Sequence, residues 1–274
     1  MNPFLDRLRR GELTKMLCVR AARTGDVVRI ARATGHHAVL IDLEHSAMSI
    51  DTAAQMSAVA GDLGLTALVR IPEREYGVAG RLLDGGAHGI IVPRVETADQ
   101  ARLIGEACRF PPAGHRSQLP SVPQFGMRPT PPRVLNPALD AATTVQVVIE
   151  TPQGIANIDD IAAVDAVDMV ALGANDLTAE LGIPGEFTHD EVRAAVAAVA
   201  DACRRHGKLF MLAGIGDLSV FGPLADLGAC PLVLTGTDTD LLYSAAQSRV
   251  ASIDAWHTAR AESVTTVTSV TSVT

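Results

Sequence analysis

Short runs of consecutive apolar residues recur along the whole chain and alternate with stretches of helical periodicity. The apolar, β-rich runs predict strands over 15–19, 38–43, 66–71, 89–93, 145–150, 169–173, 209–213 and 232–235. The stretches between them predict helices, most clearly over 24–33, 51–63, 97–110, 189–206 and 238–252. Thr188 to Glu191 has the spacing of a capping box, in which Thr188 caps free amides and Glu191 reaches back. Asp51 and Thr97 are expected as early-turn or cap residues. Eight strand–helix units over about 250 residues predict a closed (β/α)8 TIM barrel, a single α/β domain over 1–258. An open doubly wound sheet is the alternative, but the first strand-turn lacks the GxGxxG pattern that would favour it.

Two segments break this rhythm. Residues 111–137 hold eight of the fifteen prolines, where the crossover between strands 4 and 5 should run. Proline fixes φ and removes an amide donor, so an irregular insertion is expected there and neither regular helix nor strand. Such insertions serve as lids, binding loops or oligomer contacts, or are simply variable surface loops. After Glu262 the chain is only Ser, Thr and Val, with Val264, Val267, Val270 and Val273 at every third position. That spacing fits neither helix nor strand. Residues 259–274 are expected as a low-complexity flexible tail, a swapped or docked arm being the alternative.

Composition narrows the function. The net charge is −8 and only 3% of residues are aromatic, so neither a basic face nor a stacking platform for nucleic acid is expected. No apolar run approaches the ~18 residues of a membrane span, and the N-terminus lacks a signal peptide's apolar stretch. Cys18, Cys108, Cys203 and Cys230 stand apart without CxxC spacing, which suits reduced thiols. A cytoplasmic protein is expected. The basic residues are 21 arginines and two lysines, Lys15 and Lys208.

In a barrel the chemistry gathers where strands run out into the following loops. Those places carry Asp42, Glu44 and His45 after strand 2, Arg70 at strand 3, Glu150 at strand 5, and Asn175 and Asp176 after strand 6. Glu150 and Asp176 would suit a hard divalent cation such as Mg2+ or Mn2+, or alternatively a salt bridge and a helix cap. Zinc is disfavoured, because its catalytic sites use two or three His or Cys ligands. His45, with acids two or three residues away, suits a general base, and Arg70 suits a developing oxyanion. His36, His37 and His88 precede strands at the opposite end and are given no chemical role. A Schiff base needs a lysine at the catalytic end. Lys15 and Lys208 both begin strands, so imine chemistry is disfavoured.

At these residues the chain resembles the HpcH/HpaI aldolase/citrate lyase family, the metal-dependent class II pyruvate aldolases. The matching segments are IDLEHS over 41–46, VRIPE over 69–73, LLDGGAHGIIVPRVETADQAR over 82–102, FPPAGHRSQ over 110–118, IETPQGIANIDDIA over 149–162, ALGANDLTAELGI over 171–183 and LTGTDTDLLY over 234–243. The resemblance implies that Glu150 and Asp176 hold a divalent metal (Mg2+, Mn2+ or Co2+) that chelates pyruvate. It makes His45 the base and Arg70 the stabiliser of the enolate. Asp42 and Asp84 would orient His45, with Asp84 arriving from a neighbouring subunit of a homohexamer or homotrimer whose C-terminal helices exchange. Backbone amides at Ala174 and Asn175 would receive the pyruvate carboxylate, with Gly173 and Leu212 also against the substrate. Glu44, Gln146 and Val148 would stand behind the ligands.

The family's Gln-x-Glu on strand 5 is here Val148-Ile149-Glu150, with Gln146 one pleat deeper, and its Gly-Pro-x-Asp loop is Gly173-Ala174-Asn175-Asp176. The expected activity is reversible cleavage of 4-hydroxy-2-oxo acids to pyruvate, or an analogue such as hydroxypyruvate, and an aldehyde. The alternatives are oxaloacetate decarboxylation through the same enolate, and a non-catalytic barrel that binds 2-oxo acids. A CoA thioester substrate is disfavoured by the absence of a basic patch. The aldehyde is expected to meet the 111–137 loop, the 114–117 turn and the 212–216 loop, where His115 and Arg116 could face an acidic tail.

Overall fold

In the computed structural model, which describes residues 2–270 and the side chains of 2–260, eight parallel strands form a nearly closed barrel. They are β1 (Thr14–Val19), β2 (Ala38–Asp42), β3 (Thr66–Arg70), β4 (Gly89–Val92), β5 (Thr144–Ile149), β6 (Met169–Gly173), β7 (Leu209–Ala213) and β8 (Leu232–Thr237). Each pairs with its neighbour in sequence from β1 to β7, and β8 returns to pair with β1. Between β7 and β8 the seam is bridged below by the Cys230 amide, which donates to the Phe210 carbonyl at 2.7 Å. All eight strands lie at or within a residue or two of the positions that the apolar runs predict.

Alternation along the strands sorts side chains into two cores. Leu17, Val19, Val39, Ile41, Val69 and Leu212 point outward under the helices. Met16, Cys18, Leu40, Leu68, Ile91, Val148, Ala171 and Met211 fill the barrel. A helix absent from the sequence-based expectations, Pro3–Arg9, plugs the lower end with Phe4, Leu5 and Leu8. Asn2 caps it, accepting from the Leu5 amide at 3.2 Å, and donates to the Thr144 hydroxyl at 2.9 Å.

Three local expectations need correction. The proline-rich segment is not wholly irregular, because residues Pro132–Ala142 form an α-helix. Pro132 opens it where a missing amide costs nothing, and Pro137 is tolerated inside it. The cap of helix Asp190–His206 is His189 rather than Thr188, with Nδ1 accepting from the Glu191 amide at 3.3 Å. The last helix, expected to end near residue 252, spans Asp238–Val270. Its backbone therefore continues through much of the segment expected as a tail, and 271–274 lie outside the described residues. Thr97 caps its helix as expected, and Gln100 answers from the third position to complete a capping box there.

Candidate active site

The strands run out, at their carboxyl ends, around a cavity of about 500 Å³. His45, Arg70, Glu150, Gly173, Asn175 and Asp176 line it, with Gln146 and Val148 on the deeper wall. Asp42 and Glu44 join this group through Arg70.

Asp42 is the node of the β2–β3 side. It ends β2 directly beside Arg70 at the end of β3, so strand register brings the two together. Arg70 Nε donates to Asp42 Oδ1 at 3.0 Å and Nη2 donates to Oδ2 at 2.7 Å, a bidentate pair. Arg20 Nε adds a third charged donor, 2.7 Å from Oδ2. The backbone amides of Glu44 and His45 also donate to Oδ1, at 3.1 and 3.3 Å. Burial alone would raise this carboxyl, but the Arg70 bonds and charge, together with Arg20, hold it down at about 2. Asp42 thus shapes the turn carrying His45 through backbone contacts. Beside the imidazole itself stands Glu44, whose Oε2 is 3.6 Å from His45 Nε2 and 3.0 Å from Arg70 Nη1. Burial pushes the Glu44 carboxyl up against the opposing pull of Arg70.

Across the mouth, Glu150 is buried at the end of β5. Its Oε1 accepts from the Arg94 amide at 2.7 Å. Arg94 holds a left-handed φ of 48°, a conformation costly for a residue with a side chain, and the amide's aim depends on it. A Cβ at Gly173 would stand 2.6 Å from Glu150 Oε2, so glycine there keeps the second oxygen's space open. Burial pushes the Glu150 carboxyl up to about 7 against the Arg94 bond, and the charges of Asp176 and Glu44 push the same way. An oxygen donor pair with unbalanced negative charge fits a hard divalent cation, and Glu150 and Asp176 could hold one. Among the described residues no cluster of three or more His, Cys, Asp or Glu forms a ready-made metal cage. Glu150 and Asp176 are the two carboxylates that the β5 and β6 ends bring to the cavity.

Not every expected residue reaches the cavity. Leu212 is buried under the helices, because alternation turns Met211 and Ala213 inward instead. The Ala174 side chain is buried at the start of helix Ala174–Glu180, so only its backbone amide, close to the cavity-lining Gly214, is placed toward the cavity. Asp84 ends helix Ala79–Asp84 and accepts from Arg116 Nη2 at 2.9 Å. Arg116 is buried with its guanidinium 4.6 Å from the Phe110 ring centre, and His115 stands near Glu106, so neither faces the cavity of its own chain. Lys15 and Lys208 are both away from the cavity, and Lys208 Nζ donates to the Val164 carbonyl at 3.0 Å. Gln146 donates to Met211 Sδ at 3.3 Å, while its Oε1 has no partner among the described residues.

The cavity also has lining residues that the sequence reading passed over, namely Cys18, Arg20 and the β8 end with Thr235 and Thr237. Burial pushes the Cys18 thiol up to about 12, so it remains protonated. Arg20 was findable: it directly follows the first apolar run, the rule that located Arg70.

Residues 15–214 match the HpcH/HpaI aldolase/citrate lyase description. A 4-hydroxy-4-methyl-2-oxoglutarate aldolase of Hapsidospora irregularis is 41% identical over 216 residues, 78% of this chain and 80% of the relative. A 2-keto-3-deoxy-L-rhamnonate aldolase of Shigella boydii is 32% identical over 254 residues, 91% of this chain and 92% of the relative. The crystal structure of an HpcH/HpaI aldolase from Desulfitobacterium hafniense has a TM-score of 0.84 at 28% identity, covering 92% of this chain and 96% of that one.

Proposed function

The chain belongs to the HpcH/HpaI aldolase/citrate lyase family, and from that premise we propose a class II lyase that cleaves 4-hydroxy-2-oxo acids to pyruvate, or an analogue, and an aldehyde. The observation that carries this reading is the convergence of Glu150 and Asp176 with His45 and Arg70 on one cavity. A divalent cation (Mg2+, Mn2+ or Co2+) held by Glu150 and Asp176 would supply Lewis-acid polarisation of the 2-oxo group.

The chain's own residues supply the rest. His45 takes the proton of the 4-hydroxyl, with Glu44 Oε2 standing 3.6 Å from its Nε2. The electron pair of the C3–C4 bond passes into a C2–C3 double bond as C4 becomes the aldehyde carbonyl. Arg70 faces the enolate oxygen with the N–H groups that Asp42 and Glu44 leave unengaged. A proton returned to C3 completes pyruvate. The amides of Ala174 and Asn175 receive its carboxylate. Gly214, with φ 90°, supports this role, since a Cβ there would stand 3.1 Å from the Asn175 nitrogen and 3.3 Å from that of Ala174.

Asp84 meets Arg116 in its own chain, so a part for it at His45 requires a neighbouring copy. A homohexamer or homotrimer with sites at subunit interfaces is favoured by the last helix, whose side chains from Thr239 to Arg260 are all exposed and include Leu242, Tyr243 and Trp256. Among the described residues no helix is long and apolar enough to cross a membrane.

The test is pyruvate release from 4-hydroxy-2-oxo acids before and after chelation. Turnover should vanish with EDTA, return with Mg2+, Mn2+ or Co2+, and fall about a hundredfold or more in Glu150→Ala and Asp176→Ala. Borohydride trapping of pyruvate on the protein would overturn this mechanism. Loss of CO2 from oxaloacetate without aldol turnover would favour the decarboxylase instead.

A further inference from the structure

Two arginines line the cavity, and they are used differently. Arg70 donates from Nε and Nη2 to Asp42 and holds Nη1 in an ion pair with Glu44 at 3.0 Å. Arg20 commits only Nε, to Asp42 Oδ2 at 2.7 Å. Among the described residues neither of its terminal nitrogens has a hydrogen-bond partner.

The Arg20 backbone is fixed as well. The Asp238 carboxylate, at the start of the last helix, accepts from the amides of Arg20 at 2.9 Å, Ala21 at 3.0 Å and Ala22 at 2.7 Å. With its backbone pinned by Asp238 and its Nε by Asp42, the side chain is held at both ends of its stem. Only the planar fork of terminal N–H groups is left over, beside the cavity. Such a fork matches a carboxylate in bidentate geometry, and little rotamer freedom is left to lose when one binds.

Its place across the mouth says which carboxylate. In the strand order β1 stands opposite β5, four strands away in either direction around the barrel. A substrate whose 2-oxo-acid head lies at Glu150 and Asp176 therefore points its far end toward Arg20. We propose that Arg20 binds a second, distal carboxylate, so that the preferred substrates are dicarboxylic aldols whose released carbonyl product is itself an acid. The proposal rests on the aldol-cleavage reading above. Asp240 also lines this wall, without a bond to Arg20 among the described residues.

The experiment compares wild type, Arg20→Gln and Arg20→Lys on 4-hydroxy-2-oxoglutarate and on the monoacid 4-hydroxy-2-oxopentanoate. A charge-assisted hydrogen bond to an ionised group is worth about tenfold to a hundredfold in binding. The diacid-to-monoacid ratio of kcat/KM should fall by that factor in Arg20→Gln, mainly through KM. Arg20→Lys, which keeps charge without the fork, should recover part of it. An equal loss on both substrates would mean that Arg20 only braces Asp42, and an unchanged ratio would mean that it touches no carboxylate. Either overturns the proposal. A binding arm uses calorimetry of 2-oxoglutarate and 2-oxobutanoate with Mg2+ present, and the diacid preference should disappear in Arg20→Gln. If neither aldol is cleaved yet that preference depends on Arg20, the aldolase reading fails and the anchor stands. If cleavage proceeds with no Arg20-dependent preference, the anchor fails alone.

Discussion

Asp42 shows how much one carboxylate can organise. It accepts from Arg20, Arg70 and two backbone amides, and without it two guanidinium groups would face each other across the gap. Its carboxyl is held at about 2 against an ordinary 3.8, which corresponds to about 2 kcal/mol of stability. Because the folded value is the depressed one, that contribution is complete above pH 3.8 and is lost as pH falls toward 2. Denaturant unfolding between pH 5 and 2 should show the loss in wild type and not in Asp42→Asn, which should already be destabilised by about 3 kcal/mol at pH 7. At the proposed metal site, Glu150→Gln keeps the shape that the Arg94 amide and Gly173 accommodate and removes the charge. Mn2+ affinity measured by calorimetry should fall at least tenfold while the melting temperature is maintained. Strand-end position made Asp42, Arg70, Glu150 and Asp176 legible, since polar groups that follow an apolar run lie at the mouth. Leu212 failed for a related reason: alternation gave its neighbours Met211 and Ala213 the inward face.

At the scale of elements, the residue just before each of three even-numbered strands has a shared structural task. His37 Nδ1 accepts from the Lys15 amide at 3.1 Å, His88 Nδ1 from the Ala67 amide at 3.2 Å, and Asp168 Oδ2 from the Val145 amide at 2.8 Å. Each ties the start of an odd-numbered strand to the start of the next strand, at the end of the barrel away from the cavity. The sequence places both histidines away from the chemistry, and this is the work they do there. Burial holds both imidazoles below their ordinary 6.5, so the neutral form is the folded one. Their contribution should be complete above pH 6.5 and decline as pH falls below it, readable as a falling melting temperature from pH 7 to 5. His88→Ala should cost about 1–3 kcal/mol by leaving the Ala67 amide unpaired, and should flatten that pH dependence. Removing the capping box with Thr97→Ala should cost about 1 kcal/mol with no change in substrate preference, as read by chemical unfolding and kcat/KM. The caps at Thr97 and His189 differ in legibility, because a histidine's Nδ1 can cap as a Thr oxygen does, and only the backbone path decides which residue turns the corner.

For the whole molecule, the unusual feature is a last helix that leaves the barrel and exposes Leu241, Leu242, Tyr243, Val250, Ile253 and Trp256. Apolar surface on that scale is normally covered. Light scattering on the purified chain should give a mass above that of one chain, and Leu242→Glu with Trp256→Glu should lower it. If the double variant keeps the assembly, the helix is not the contact.

The sequence by itself determined the barrel, the end at which its candidate site gathers and the placement of both lysines away from that end. Each depends on periodicity and position within one strand, which are local and survive in a string of letters. Only the tertiary structure decided which polar groups meet. Asp42 bridges Arg20 and Arg70, Glu150 rests on the amide of a strained Arg94, and Arg116 turns to Asp84 and away from the cavity. Those partners lie 22 to 56 residues apart. They are brought together by strand register and barrel closure, which no local pattern encodes.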